Sequence, residues 1–140
     1  MKIVDANVLL YAVNADSPQH EPARRWLDGA LSGGEMVGFD WVVLLAFLRI
    51  ATHPSIFPSP LTVDAAFDAM DVWLSSANAR LLVPTQRHAE MLRNVIDDVG
   101  VGGNLVTDAH IAALAREHQA PVVSFDRDFD RFSGVQRIEP

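Results

Sequence analysis

The stretch KIVDANVLLYAVN, residues 2–14, begins with a short apolar run that ends at an acid, Asp5. This pattern predicts a buried strand followed by a turn that carries Asn7. A second apolar run, PVVSF, ends in the same way at Asp126. The sequence therefore places an acid at the end of each of two predicted buried strands, and these strands decide how the rest of the chain can be arranged.

Segments with helical spacing alternate with short apolar runs along the rest of the chain. Besides residues 2–4 and the run PVVSF, residues 121–125, strands are predicted at residues 36–39 and 81–83. Helices are predicted from an N-cap at Ser17 with Pro18 as the first helical residue, over residues 41–52, from an N-cap at Thr62, over residues 91–99 and from Asn104 onward. The helix over residues 41–52 is apolar almost all round, so we expect it to be buried on more than one face, against a second subunit as well as the sheet. The alternation favours an α/β fold with a mostly parallel central sheet and helices on both faces, in a single domain covering residues 1–140.

The composition limits the classes of protein to which the chain can belong. With 140 residues, 49% of them apolar, the chain is long enough for one sizeable core. It contains no cysteine, which excludes disulfides, thiolate metal sites and a cysteine nucleophile. The formal net charge of −7 has the wrong sign for holding nucleic acid by phosphate neutralisation alone, so a nucleic-acid role needs local positive charge or bound cations. The apolar part of residues 2–14 is too short to span a membrane, and we expect a cytoplasmic protein with no membrane partner.

Four acids are the candidates for a functional site: Asp5, Asp108, Asp126 and Asp128. Because ligands of an open α/β sheet bind beyond the carboxyl ends of the strands, Asp5 and Asp126 are expected on the same rim. Asp108 lies on the predicted apolar stripe of its helix, where burial of a carboxylate costs several kcal/mol unless a cation offsets it. Asp128 follows Asp126 closely enough to join the same group. Converging carboxylates suit a hard divalent ion, Mg²⁺ or Mn²⁺, of the kind that serves phosphodiester hydrolysis.

These acids also have simpler interpretations. Asp5 can be a turn former, Asp108 a first-turn acid that the helix dipole favours, and Asp128 a solvated or N-capping acid in a loop. The five histidines show no metal-ligand spacing, and Asp108 and His110 are expected to point to different faces, so the histidines are interpreted as surface or packing residues. The three tryptophans, Trp26, Trp41 and Trp73, are expected in the core rather than in a base-stacking platform.

Three acidic segments, DANVLLYAVN, NLVTDAHIAALA and VVSFDRDFDRF, together with WVVLLAFLRIATHP in the middle of the chain, resemble the motifs of PIN domains. The resemblance spans nearly the whole chain, and the small size is most similar to VapC-type toxins of bacterial toxin–antitoxin pairs. It implies a three-layer α/β/α fold and RNA cleavage that depends on Mg²⁺, with Mn²⁺ able to substitute. It also implies a homodimer and a cognate antitoxin protein that blocks the site. The implied site residues are Asp5, Asp108 and Asp126 as catalytic metal ligands, Asp128 as an accessory ligand, Asn7 as the residue that orients Asp5, and Asn104 and Arg49 as supporting residues.

One position departs from the PIN pattern. The second helix of PIN domains usually carries Glu-x-x-Arg, and the matching residues here are Ala46 and Arg49. Alanine cannot bind a metal, so the site is expected to bind one ion weakly, to recruit Asp128 or Asp40, or to have lost activity. The departure motivates a second hypothesis, a PIN-fold module that binds RNA or protein without catalysis. A third, a phosphatase or receiver-like protein with a nucleophilic aspartate, is disfavoured because the acid expected two residues after Asp5 is missing.

Overall fold

A parallel sheet of five short strands forms the centre of the molecule. The computed structural model describes residues 1–100 and 102–140. The strands are β1 Lys2–Val4, β2 Val37–Phe39, β3 Ala79–Leu81, β4 Val122–Val123 and β5 Arg137–Ile138. The helices are α1 Ala6–Val13, α2 His20–Ser32, α3 Trp41–Ala51, α4 Val63–Leu74, α5 His88–Val99 and α6 Val106–His118, with 3₁₀ turns at Gly103–Leu105 and Arg127–Arg131. The strand order is β3-β2-β1-β4-β5 and every neighbouring pair is parallel, which confirms the predicted α/β fold.

The helices cover both faces of the sheet because the chain reverses direction at β3. From β1 the chain moves to β2 and then to β3 at one edge, and it then crosses back to β4 on the other side of β1. Right-handed crossovers in opposite directions place α1 to α4 on one face and α5 and α6 on the other. The packing agrees, since α1 contacts α2 and α3, α3 contacts α4, and α5 contacts α6. The three-layer α/β/α architecture implied by the family resemblance is confirmed.

The turn predicted after β1 is wrong. Asp5 instead caps α1, because its carboxylate accepts a hydrogen bond from the Ala6 amide at 2.7 Å. The predicted start of the next helix is also wrong, since Ser17 forms a local side-chain turn with Gln19 and α2 begins at His20. Both errors have one physical cause. A short polar side chain that bonds to a nearby backbone amide can either cap a helix or close a turn, and the local sequence does not distinguish the two.

The strands are shorter than the apolar runs that predicted them. β4 covers only Val122–Val123 of the predicted residues 121–125, and β3 lies at Ala79–Leu81 rather than at residues 81–83. β5 has no counterpart among the predicted strands, because two partly buried residues at a sheet edge show no periodicity. The ends of all three strands are set by pairing with neighbours that are distant in sequence.

Helix α3 is less buried than its composition predicts. Phe47 packs in the core edge-to-face against Trp73, with ring centroids 4.9 Å apart, and Trp26 is partly buried against the same core. On the outer side of α3, however, Trp41 and Leu45 are 49% and 57% exposed. The core position predicted for Trp41 is therefore wrong, and none of residues 1–100 and 102–140 covers this face of α3.

Small side chains allow α6 to lie close to the sheet. Ala109, Ala112 and Ala113 are fully buried, and α6 packs against β4. Because the first turn of α6 also contains Asp108, this packing carries that acid towards the residues that follow β4. In the described ranges, no helix combines the length and the apolar character that crossing a membrane requires.

Candidate metal centre

Three carboxylates meet beyond the carboxyl edge of the sheet. One side-chain oxygen from each of Asp108, Asp126 and Asp128 lies within 4.8 Å of the other two. Oxygen ligands lie about 2.1 Å from a Mg²⁺ ion in octahedral geometry, which sets neighbouring ligand oxygens about 3 Å apart and opposite ones about 4 Å apart. Small side-chain rotations therefore suffice for these three acids to share one divalent ion.

Two of the three acids belong to one short turn. Asp126 follows β4 and caps the 3₁₀ turn Arg127–Arg131, where its Oδ1 accepts a hydrogen bond from the Asp128 amide at 2.8 Å. Asp108 comes from a different element, the first turn of α6. Arg131 forms an ion pair with Asp128 at 3.6 Å, but both side chains are about half exposed. Solvent screens such a pair, so it offsets little of the negative charge.

Asp5 is buried and is held by hydrogen bonds on both carboxylate oxygens. Oδ1 accepts from the Ala6 amide, and Oδ2 accepts from the side-chain amide of Asn7 and from the hydroxyl of Ser124, each at 2.7 Å. The hydrogen bond expected between Asn7 and Asp5 is therefore present. The structure does not place Asp5 within the group of three acids described above, and its role as a metal ligand stays a prediction.

A single buried hydroxyl connects Asp5 to Asp126. Ser124 Oγ donates to Asp5 and accepts hydrogen bonds from the Asp126 amide and from Asn7 Nδ2, both at 2.9 Å. Asn7 Oδ1 completes the network by accepting from the Phe125 amide at 3.2 Å. Ser124 is absent from the predicted site residues. Its sequence signal is a polar residue inside the apolar run PVVSF, where an unpaired hydroxyl would be costly.

Two acids at this edge of the sheet, Asp5 and Asp108, have raised pKa values. Burial, together with the charges of Asp5, Asp126 and Asp128, raises the pKa of Asp108 to about 6. Burial also raises the pKa of Asp5. Hydrogen bonds, above all the one from Ser124, favour the ionised form but do not cancel the effect of burial. Asp5 thus interacts electrostatically with Asp108 although it lies outside the group of three. A bound divalent cation would favour the ionised forms of all these acids.

The predicted supporting residues Asn104 and Arg49 are both exposed. Asn104 lies in the 3₁₀ turn Gly103–Leu105, before α6. Arg49 lies in the last turn of α3, roughly 14 Å along the helix axis from its N-cap at 1.5 Å per residue. Across residues 1–100 and 102–140, neither side chain forms a hydrogen bond or an ion pair with the acids. Their supporting roles stay predictions.

Asp40 is one of two alternative acids, the other being Asp128, that the sequence offers in place of the missing glutamate at Ala46. It is only 3% exposed and caps α3, with Oδ2 accepting a hydrogen bond from the Val42 amide at 3.0 Å. The same oxygen accepts from His110 Nε2, also at 3.0 Å. Asp128 lies in the group of three acids. Asp40 lies outside that group and is hydrogen-bonded to Val42 and His110 instead.

The interpretation of the histidines as surface or packing residues is wrong for two of them. His110 Nδ1 and His88 Nε2 are 2.9 Å apart, and His88 Nδ1 lies 2.8 Å from Glu117 Oε2. With Asp40 these residues form a continuous chain of hydrogen bonds beside α6. Burial alone would raise the pKa of Glu117, but hydrogen bonds from Thr85 and His88 lower it below its usual value.

Comparison with known proteins agrees with this geometry. The model of the PIN domain family matches residues 2–135. Ribonuclease VapC37 of Mycobacterium tuberculosis is 57% identical over 140 residues, which cover 100% of this chain and 97% of that protein. The crystal structure of M. tuberculosis VapC20, described as a toxin that cleaves the sarcin-ricin loop, gives a TM-score of 0.69 with 20% identity, covering 97% of this chain and 99% of that one. Rickettsia felis VapBC2, solved with a DNA fragment from its promoter, gives a TM-score of 0.71 with 15% identity, covering 99% and 97%.

Proposed function

Because the chain belongs to the PIN-domain family, we propose that its acidic cluster is the active site of a metal-dependent endoribonuclease, the toxin of a toxin–antitoxin pair. The family is the one that the sequence motifs resemble, and the match covers residues 2–135. A relative that aligns over the full length of the chain is a VapC ribonuclease. The reaction is the hydrolysis of RNA phosphodiester bonds.

One observation carries the assignment: Asp108, Asp126 and Asp128 bring three oxygens within 4.8 Å of one another. Burial and the charges of neighbouring acids raise the pKa of Asp108 to about 6, and a bound cation would offset both effects. Oxygen ligands favour a hard divalent ion, and we assign Mg²⁺ with Mn²⁺ as a substitute. When bound, such an ion supplies an activated water and the positive charge that stabilises a phosphoryl transition state.

The chain's own residues orient the acids and bind the substrate. Ser124 and Asn7 fix Asp5 through its Oδ2, while Oδ1 accepts one hydrogen bond and keeps a lone pair with which to complete the ion's ligands. Arg127 and Arg131 are exposed on the turn that carries two of the acids. We assign these arginines to the RNA phosphates, because the guanidinium group suits bidentate phosphate contacts and the rest of the chain is acidic.

Two protein partners belong to this proposal. The first is a cognate antitoxin, as expected for a toxin of the VapC type. The second is another copy of the chain, supported by the outer face of α3, where Trp41, Val42 and Leu45 are between 36% and 57% exposed. Light scattering coupled to size exclusion should show a dimer for the wild type and a monomer for Leu45→Arg. Val72→Arg, at another exposed apolar position, should remain dimeric.

RNA cleavage by protein freed of antitoxin tests the activity. Structured RNAs should be cut at discrete positions with Mg²⁺ or Mn²⁺ and left intact with EDTA. Loss of a residue that orients a metal ligand lowers activity by about 10- to 100-fold, so Asp126→Asn, which removes a ligand itself, should lower the rate at least about 100-fold. Asp16→Asn makes the same change of charge at an exposed loop acid and should keep full activity. A folded wild type that cuts no RNA with either ion would contradict the proposal.

Ala46 favours one other function, a module that binds RNA or protein without cleaving RNA. The residue is partly buried in α3 and offers no ligand where the family usually has glutamate. Titration calorimetry with Mn²⁺ distinguishes a nuclease from a binding module. A nuclease should bind Mn²⁺ with an affinity that falls in Asp126→Asn, and Ala46→Glu should strengthen it. A binding module with a decayed site should show no dependence on Asp126.

A further inference from the structure

A chain of hydrogen-bonded side chains runs from the edge of the sheet along α6. Asp40 Oδ2 contacts His110 Nε2 at 3.0 Å, His110 Nδ1 contacts His88 Nε2 at 2.9 Å, and His88 Nδ1 contacts Glu117 Oε2 at 2.8 Å. The two imidazole rings meet edge-to-face at 71°. The carboxylates at the ends are almost inaccessible, with 5% exposure for the Asp40 side chain and 2% for that of Glu117.

Both nitrogens of each ring are engaged, which fixes how the rings are oriented. Ionised carboxylates only accept hydrogen bonds, so His110 Nε2 and His88 Nδ1 donate at the two ends of the chain. Each ring is therefore held between a carboxylate and the other ring. Hydrogen bonds to ionised carboxylates are stronger than bonds between neutral groups.

The chain of hydrogen bonds joins the two helix layers at the edge of the sheet. Asp40 directly follows β2 and caps α3, on the face opposite to α5 and α6, and its carboxylate accepts a hydrogen bond from the Val42 amide. His110 is on α6, two residues after Asp108. The hydrogen bond between Asp40 and His110 therefore ties the first two turns of α6 to the end of β2.

Helix α6 packs against α5 and β4, but its start lacks a side-chain cap. Its N-cap, Leu105, makes no capping hydrogen bond through a side chain. Gly100 and Gly103, in the connection before it, have φ values of 73° and 64°, a conformation that glycine adopts without strain. The first turn of α6, with Asp108, thus depends on packing and on the tie through His110 for its position.

We propose that Asp40 and His110, supported by His88 and Glu117, are positioning residues that hold Asp108 where it can share an ion with Asp126 and Asp128. The inference rests on the proposed function, because it assigns the role of these residues to the same metal site. The sequence suggested Asp40 as a possible metal ligand, whereas in this proposal Asp40 acts on the metal site through its hydrogen bond to His110.

Two substitutions at His110 separate the halves of the hydrogen-bond chain. In His110→Gln the side-chain amide can reach the place of Nε2 and still donate to Asp40. In His110→Asn the shorter amide reaches only the place of Nδ1, so it can contact His88 but loses Asp40. Mn²⁺ dissociation constants from calorimetry should rise roughly tenfold in His110→Asn, the lower end of the effect of losing groups that orient metal ligands. The Mn²⁺ dissociation constant of His110→Gln should stay within about twofold of the wild-type value, because the hydrogen bond to Asp40 is kept.

Further variants keep the test decisive if one protein folds poorly. Asp40→Asn retains a capping oxygen for α3 but loses the charge that orients His110, and it should also weaken Mn²⁺ binding several-fold. His20→Asn makes the same side-chain change as His110→Asn on α2, where His20 contacts the Tyr11 carbonyl, and should leave Mn²⁺ affinity unchanged. RNA cleavage by His110→Asn, measured over a range of RNA concentrations, should show a lower kcat at unchanged KM.

The outcomes separate this inference from the function on which it rests. If the wild type binds Mn²⁺ and cleaves RNA, but His110→Asn and Asp40→Asn lose only thermal stability and keep their Mn²⁺ affinity, the positioning role is overturned and the nuclease stands. If the wild type binds no Mn²⁺ up to millimolar concentrations, both are overturned. A rescue by glutamine but not by asparagine at position 110 supports the positioning role.

Discussion

Replacing Asp108 by asparagine should stabilise the metal-free protein, although it removes a site residue. The ordinary pKa of this carboxyl group is 3.8, and burial, with the charges of Asp5, Asp126 and Asp128, raises it to about 6. At about 1.4 kcal/mol per pKa unit, the ionised form costs about 3 kcal/mol in a fully buried setting. Asp108 is only partly buried, so solvent screening reduces the expected gain to about 1–2 kcal/mol.

The gain should depend on pH in a defined direction. The unfolded chain releases the Asp108 proton near pH 4 and the folded chain near pH 6, so the folded state binds more protons between these values. The metal-free wild type should therefore lose stability as pH rises from about 4 to about 6, with no further change from this group above pH 6. Asp108→Asn should lack this loss, and its advantage over wild type should vanish near pH 4.

Thermal unfolding in EDTA at pH 4.2 and pH 7.5 measures both effects. At pH 7.5 the melting temperature of Asp108→Asn should exceed that of wild type by about 3–6 °C, at about 3 °C per kcal/mol for a domain of this size. Asp16→Asn, at an exposed acid, controls for the change in net charge and should shift it by less than about 1 °C. Equal stability of Asp108→Asn and wild type at both pH values would refute the claim that burial and the neighbouring acids raise the pKa of Asp108.

Three further predictions concern the scaffold of the site and the fold. Ser124→Ala should lower the free energy of unfolding by about 1–3 kcal/mol in urea titrations, because Asp5 and Asn7 lose a buried partner; a change no larger than that of the exposed Ser133→Ala would contradict this. Thr62→Ala should cost about 1 kcal/mol by the same measurement, through loss of the α4 cap, and Thr62→Ser should recover most of it. Gly38→Ala should cost about 1–2 kcal/mol, since its Cβ would lie 2.8 Å from Cδ1 of the buried Leu82, and the additional variant Leu82→Val should reduce that cost; a neutral Gly38→Ala would show that Leu82 moves freely.

Local sequence predicts the fold and the positions of the acids because both depend on short patterns. Apolar runs followed by acids mark β1 and β4, and the parallel arrangement of their carboxyl ends brings Asp5 towards the turn that carries Asp126. Asp108 could be predicted because a carboxylate on an apolar stripe requires a partner. The cap at Asp5 could not, since the same residue is compatible with the turn that was predicted there.

The chain of hydrogen bonds beside α6 could not be predicted from sequence, because it depends on how separate elements pack. Its three bonds join residues that are 70, 22 and 29 positions apart, and no periodicity connects His88 with His110. The role of Ser124 could be predicted only in part. A lone hydroxyl in an apolar strand signals a buried partner, but only the fold shows that it contacts both Asp5 and Asp126.

Anomalous scattering from crystals of the wild type soaked in Mn²⁺ tests the central claim, that the cluster holds a catalytic divalent ion. The account predicts one strong peak bounded by carboxylate oxygens of Asp108, Asp126 and Asp128, with Asp5 close enough to complete the ligands, and loss of the peak in Asp126→Asn. A fully occupied Mn²⁺ site elsewhere in the chain, or no peak at these acids in a protein that still cleaves RNA, would contradict it.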